Sequence, residues 1–180
     1  MESLDILILG VEASIALAGF AGIIATFQFR GENETRRGDA IGLTMILQFS
    51  LLTALACSFA IILNSFGLKE TTVWATCSVM VACIQTYYIF DLSKKLRGVK
   101  KTKSLGRVVM IVQTPSVFLV IMNLMNTSNT FFQREAGPVI ASIVWALTLA
   151  GFMFSRLLLR PVWRNVRIQE TAKLADATSG

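Results

Sequence analysis

Apolar residues run along this chain in five long stretches, at about 6–29, 40–66, 72–90, 108–125 and 138–159. Glu12 is the one charge in the first, and the second carries none. The third ends at Asp91, and the last is broken only by Arg156 near its end. A half-buried strand would alternate apolar and polar positions, and a surface helix of a soluble protein would place apolar residues every three or four. These runs do neither. Each is long enough to cross a hydrocarbon core of about 30 Å at about 1.5 Å per residue. In lipid a spanning segment must satisfy its own backbone polar groups, which makes the spans helical. A membrane barrel would instead show alternating strands of roughly ten residues.

The expected fold is therefore all-α, an integral membrane protein with a bundle of about five transmembrane helices in one domain over residues 1–160. The segment Arg160-Pro161-Val162-Trp163 is expected to end the last helix. Residues 161–180 then form a cytoplasmic tail, either an amphipathic segment on the membrane surface or a disordered one. No internal repeat is visible, so an inverted-repeat transporter plan is not expected.

Composition agrees with the pattern: 54% of the 180 residues are hydrophobic and the mean hydropathy is +0.63. The net charge of +6 is placed asymmetrically. Arg30, Arg36 and Arg37 follow the first run. Lys94, Lys95, Arg97, Lys100, Lys101, Lys103 and Arg107 follow the third, and Arg156 stands at the end of the fifth with Arg160, Arg164, Arg167 and Lys173 after it. Of the 17 Lys and Arg, only Lys69 and Arg134 fall on the other side. The positive-inside rule puts the C-terminus in the cytoplasm and the N-terminus outside, which requires an odd number of spans. Basic residues beside spans serve topology first, and without interleaved aromatics they do not point to nucleic acid. The run from Lys94 to Arg107 is also a candidate site for anionic lipid headgroups. The first residues, Met1 to Asp5, are acidic rather than basic, so the first run reads as a span and not as a secretory signal.

Candidate chemistry is sparse. Histidine is absent. Cys57, Cys77 and Cys83 lie inside spans without metal or redox spacing. No carboxylates cluster within the spans, so neither an enzyme nor a metal or other cofactor is expected. Glu12, about two turns into the first span, is the most informative residue, because an ionisable group in lipid costs a few kcal/mol and usually faces protein or a water path. It fits an ion path in an oligomer, a proton-sensitive position, or a structural carboxyl bonded to a neighbouring helix. Glu12, Ala16, Gly19, Ile23 and Thr26 form one stripe at spacings of three and four, acidic at one end and apolar in the middle, as a pore helix can be. Gly10, Ser14, Ala18 and Gly22 form a second, small-residue stripe for close helix packing, within the chain or between copies. Gln48, Asn64, Gln85, Gln113, Asn123 and Asn126 read as interhelical hydrogen-bonding amides. Gln113 also precedes Pro115, a kink position that can mark a binding site. Asp91 is expected to pair with a nearby Lys or Arg. Trp74, Tyr87, Tyr88 and Trp163 fall where an interfacial aromatic belt would lie, whereas Trp145 is nearer mid-span and reads as packing.

Three short segments carry a resemblance. They are Ala18-Gly19-Phe20-Ala21-Gly22-Ile23 preceded by Glu12, Gly67-Leu68-Lys69-Glu70 followed by Val73-Trp74, and Phe154-Ser155-Arg156-Leu157-Leu158. Together they resemble a loose group of small uncharacterised bacterial multi-span inner-membrane proteins. The resemblance implies a bacterial inner-membrane location and brings no activity with it. The function expected from the residues is a homo-oligomeric, cation-conducting channel with the first helix near its axis. The alternative is a non-conducting accessory subunit that binds another membrane protein. The expected partners are membrane lipids and a second copy or another membrane protein.

Overall fold

A computed structural model describes the backbone of residues 2–29, 37–97, 103–129 and 133–178, and side chains over 3–26, 42–91, 93–94, 113–129 and 133–159. Among these residues the chain is all-helical, in the order α1 (Glu2–Phe29), α2 (Arg37–Ser65), α3 (Glu70–Arg97), α4 (Lys103–Thr127) and α5 (Gly137–Thr178). Four of the described segments are long and apolar enough to cross a membrane: Ser3–Thr26, Gly42–Ser65, Glu70–Asp91 and Gly137–Leu159. The remaining expected span, 108–125, falls in α4, where the side chains before 113 lie outside the described residues.

The helix ends follow local chemistry. Gly67 adopts φ 68° just past α2, a left-handed position that glycine takes without a Cβ penalty. Its N–H reaches back to the Asn64 carbonyl at 3.2 Å. The Lys69 carbonyl accepts the N–H groups of Thr72 and Val73 and opens α3. Asn129, at φ 58°, closes α4 in the same left-handed way. Pro138 sits in the first turn of α5, where its missing N–H would have had no partner in any case. Pro161 departs from expectation. The backbone of α5 continues helically through it to Thr178 instead of stopping at 160–163. A proline removes one backbone hydrogen bond, which a long helix can absorb with a local adjustment.

The helices pack antiparallel to their chain neighbours. α2, α3, α4 and α5 form a ring, and α1 lies outside it against α2 and α5. Two apolar cores hold the bundle. At the end where α1 and α3 begin, Leu7, Cys57, Ala60, Trp74, Cys77, Val139 and Ile143 bring four helices together. At the other end Ala21, Leu43, Ile46 and Leu157 join α1, α2 and α5, and no described side chain of α3 or α4 takes part. Trp74 is a correction to the expected aromatic belt. It is 5% exposed and belongs to the first core, with its indole N–H donated to Glu70 Oε1 at 3.3 Å.

Polar side chains fasten α3, α4 and α5. Asn126 Nδ2 donates to Ser78 Oγ at 2.8 Å and to the Glu135 carbonyl at 2.9 Å, while its Oδ1 accepts the Glu135 N–H at 3.1 Å. Gln133 and Arg134, both left-handed at φ 48° and 61°, precede Glu135 in the chain. Such positions cost about 1–2 kcal/mol each for non-glycine residues, and the paired bonds to Asn126 offset part of that. Asn123 Nδ2 donates to Ser142 Oγ at 2.8 Å, and Gln113 Nε2 donates to Ser93 Oγ at 3.0 Å. On the outer surfaces of the helices Thr76, Thr148 and Ser155 turn their hydroxyls back to the carbonyls of Thr72, Val144 and Gly151.

Two stability effects follow. A Cβ on Gly10 would lie 2.9 Å from Cys57 Sγ, whereas one on Gly22 would meet nothing within 4 Å. Gly10→Ala is expected to cost about 1–3 kcal/mol, to be relieved by Cys57→Ala, and Gly22→Ala to cost nothing; thermal unfolding in mild detergent reads all three. Asn126→Ala is expected to cost about 1–3 kcal/mol by stranding the buried Ser78 hydroxyl and releasing the backbone N–H and carbonyl of Glu135. Asn64→Ala, at an exposed position, should stay within about 0.5 kcal/mol in the same assay.

Candidate functional site

Two places in the fold have functional geometry: the outward face of α1 and a cleft inside the helix ring. α1 divides cleanly. Leu7, Gly10, Ser14 and Ala21 are buried along one line, with Ser14 Oγ bonded to the Gly10 carbonyl at 2.7 Å. Gly10 faces Cys57 of α2 and Ile143 of α5. Ala18 and Gly22 are half-buried and lie to one side of that line. At about 100° per residue, Glu12, Ala16, Gly19, Ile23 and Thr26 fall on the diametrically opposite line. All five are exposed, Ile23 to 53%. The space beside Gly19 is open, and Thr26 spends its hydroxyl on the Ile23 carbonyl. The stripe that carries the carboxylate is thus exposed and opposite the buried line, while the small-residue stripe lies against or beside the bundle.

The basic run divides differently. Lys94 is exposed on α3. Lys95 and Arg97 on α3, and Lys103 and Arg107 on α4, have helical backbone but side chains outside the described residues. Lys100 and Lys101 lie outside the described residues altogether, as does the side chain of Trp163.

The second place was only partly legible as scattered amides. Between α2, α3, α4 and α5 lies a partly enclosed cleft of about 80 Å³. It extends along α3 from Val81 to Asp91 and along α2 from Met45 to Ala56, roughly 15 Å of helix in each case. Its walls are mostly apolar, from Leu52, Ala56, Ile84, Ile143 and Leu149. Gln48, Gln85, Tyr88, Asp91 and Gln113 place polar groups on it from three helices. Phe49 and Tyr88 pair on its wall with ring centroids 4.9 Å apart. Trp145, which also lines it, donates its indole N–H to Ser116 Oγ at 3.0 Å and so ties α5 to α4. Gln85 Oε1 is buried without a hydrogen-bond partner.

The two described cores differ in the helices that they join. The core around Trp74 joins α1, α2, α3 and α5, whereas toward Asp91 the described core side chains come from α1, α2 and α5. Toward that end Gln113 and Ser93 hold α4 to α3, Phe49 and Tyr88 pair α2 with α3, and Trp145 bonds α5 to Ser116 of α4. Gln48, Gln85 and Gln113 were visible in sequence as amides, but nothing in their spacing said that they would share one cleft with Tyr88 and Asp91.

Cys57 and Cys77 are buried, Cys83 is exposed, and none of the three forms a disulfide. Among the described residues no cluster of His, Cys, Asp or Glu could hold a metal ion. The chain matches no family model, no curated protein and no solved structure.

Proposed function

We propose that this is a multi-pass membrane protein whose copies assemble through the outward face of α1, with Glu12 as the acidic element of a cation path near the assembly axis. The observation that supports this reading is the exposure of Glu12, Ala16, Gly19, Ile23 and Thr26 on the face of α1 opposite its buried line. A carboxylate facing hydrocarbon costs a few kcal/mol, so a face that keeps one inside a span calls for protein or water beside it. The small side chains at Ala16 and Gly19 let a second helix approach closely. Ile23, further along, supplies the apolar constriction that gates such paths by dewetting, and the ring of carboxylates draws cations to the mouth.

In this reading the chain crosses the membrane five times, with the N-terminus outside and the basic loops and tail in the cytoplasm of a bacterial inner membrane. The charge asymmetry supports that orientation. A non-conducting accessory subunit would use the same α1 face to dock another membrane protein, and the two readings separate on stoichiometry and flux.

The test is reconstitution into lipid vesicles, with single-particle imaging in nanodiscs. The expected result is a symmetric oligomer, a cation flux above that of empty vesicles, and a loss of at least about tenfold in that flux for Glu12→Gln. A background lacking the three native cysteines allows a geometric check: Ala16→Cys should give disulfide-linked homodimers under mild oxidation, while Ser14→Cys, on the buried line, should not. A monomer without flux in several lipid compositions would overturn the channel and leave the accessory reading.

A further inference from the structure

At the end of the bundle where α3 begins, an open groove of about 430 Å³ runs over α3, bordered by Phe59 of α2 and Thr127 of α4. It shares no lining residue with the cleft inside the ring or with the α1 face. Along α3 it extends from Thr72 to Met80, roughly 12 Å of helix. That stretch is the first half of the Glu70–Asp91 span. The groove is polar at the end of the span and apolar further in. Thr72, in the first turn of α3, and Arg134, in the connection from α4 to α5, stand at its mouth, whereas Phe59, Val79 and Met80 lie deeper.

Topology does not account for the charge at the mouth. Of the 17 Lys and Arg, only Lys69 and Arg134 fall on this side of the spans, the side that the positive-inside rule leaves poor in basic residues. Arg134 is left-handed at φ 61°, in a turn held by the bonds between Asn126 and both backbone groups of Glu135. Its guanidinium makes no hydrogen bond or ion pair among the described residues, and the Thr72 hydroxyl makes none either. The hydroxyls of Thr76 and Thr127 are already returned to the carbonyls of Thr72 and Asn123. No Asp or Glu lines the groove among the described residues. The unused polar groups at the mouth are thus a cationic fork and a hydroxyl, above a hydrocarbon wall. A guanidinium takes two phosphate oxygens at once through its planar donors, and the apolar wall below suits a chain carried by that phosphate.

We propose that this groove is a phospholipid site, in which Arg134 holds the phosphodiester at the end of the span and one acyl chain lies along Ala75, Val79 and Met80. The proposal rests on the chain being a membrane protein and is independent of how α1 assembles.

The experiment uses the full chain purified in a nonionic, sugar-headed detergent and titrated with dioleoylphosphatidylglycerol, with bound lipid counted by native mass spectrometry. Dioleoylglycerol, with the same chains and no phosphate, and inorganic phosphate, with no chains, are the comparison probes. The expected result is a saturable phospholipid adduct that dioleoylglycerol does not match and inorganic phosphate does not displace. Arg134→Gln should weaken it about tenfold. Lys69→Gln, which removes an equal charge on the same side without touching the groove, should leave it unchanged. Arg134→Lys, which keeps the charge and loses the fork, should fall between the two. Ala75→Trp, which fills the groove at constant charge, should also weaken the adduct. Glu12→Gln should leave it unchanged, which separates this site from the α1 reading. Equal losses for Arg134→Gln and Lys69→Gln would mean diffuse surface charge, and equal retention of dioleoylglycerol would mean apolar partitioning. Displacement by inorganic phosphate would mean a free-anion site, and an adduct that survives Arg134→Gln would place the lipid elsewhere on the chain. Each of these four results would overturn the proposal. If Ala75→Trp fails to fold, the comparison of the Arg134 and Lys69 variants still decides it.

Discussion

Inside a bilayer an apolar side chain gains little by exchanging a lipid tail for another helix, so packing alone does not choose which helices meet. In this bundle that choice rests on Asn126. Its amide group satisfies α3 through Ser78 and the connection into α5 through both backbone groups of Glu135. Three elements are thereby fixed by one side chain. The left-handed residues Gln133 and Arg134 are tolerable because this pairing holds the turn. One turn of helix away, Asn123 repeats the arrangement with Ser142, and the α4–α5 pairing is set.

Among the described residues the two ends of the bundle are held by different sets of helices. The core around Trp74 and Cys77 draws on α1, α2, α3 and α5, whereas the core around Ile46 draws on α1, α2 and α5. The α3–α4 pair keeps its own polar fastening at Gln113 and Ser93. A narrow cleft lies between α2, α3, α4 and α5. The polar groups that line it are partly those that hold its walls together, so its shape and its chemistry have a common origin.

The sequence was most informative where lipid leaves no alternative. Four of the apolar runs appear as helices long and apolar enough to cross a membrane, and the run at 108–125 falls in the helix α4; a segment without water has to bond its backbone internally. Gln113, Asn123 and Asn126 were readable as interhelical amides for the same reason, and each makes such a bond. The misjudged positions are those where a residue has two physically reasonable roles. Trp74 has the position of an interfacial aromatic, yet the nearby Glu70 accepts its N–H and leaves the ring free to enter the core. Pro161 has the signature of a helix stop, yet the backbone carries on past it. Glu12 was legible as a costly charge, but whether it faced a neighbouring helix depended on rotation about the α1 axis, which is set by Gly10 against Cys57. The cleft depends on how far apart four helices stand, and no residue spacing encodes that distance.

The hydroxyls of Thr76, Thr148 and Ser155, each returned to a carbonyl one turn back, bear on how the bundle can be made. A helix whose own serines and threonines are already satisfied presents hydrocarbon all round and can partition from the translocation machinery into lipid by itself. The carboxamides of α4 are different, since their partners reside on helices synthesised before and after it. Biogenesis is then expected to have two separable stages: individual insertion of self-satisfied cylinders, followed by lateral docking that waits until α5 has emerged from the ribosome.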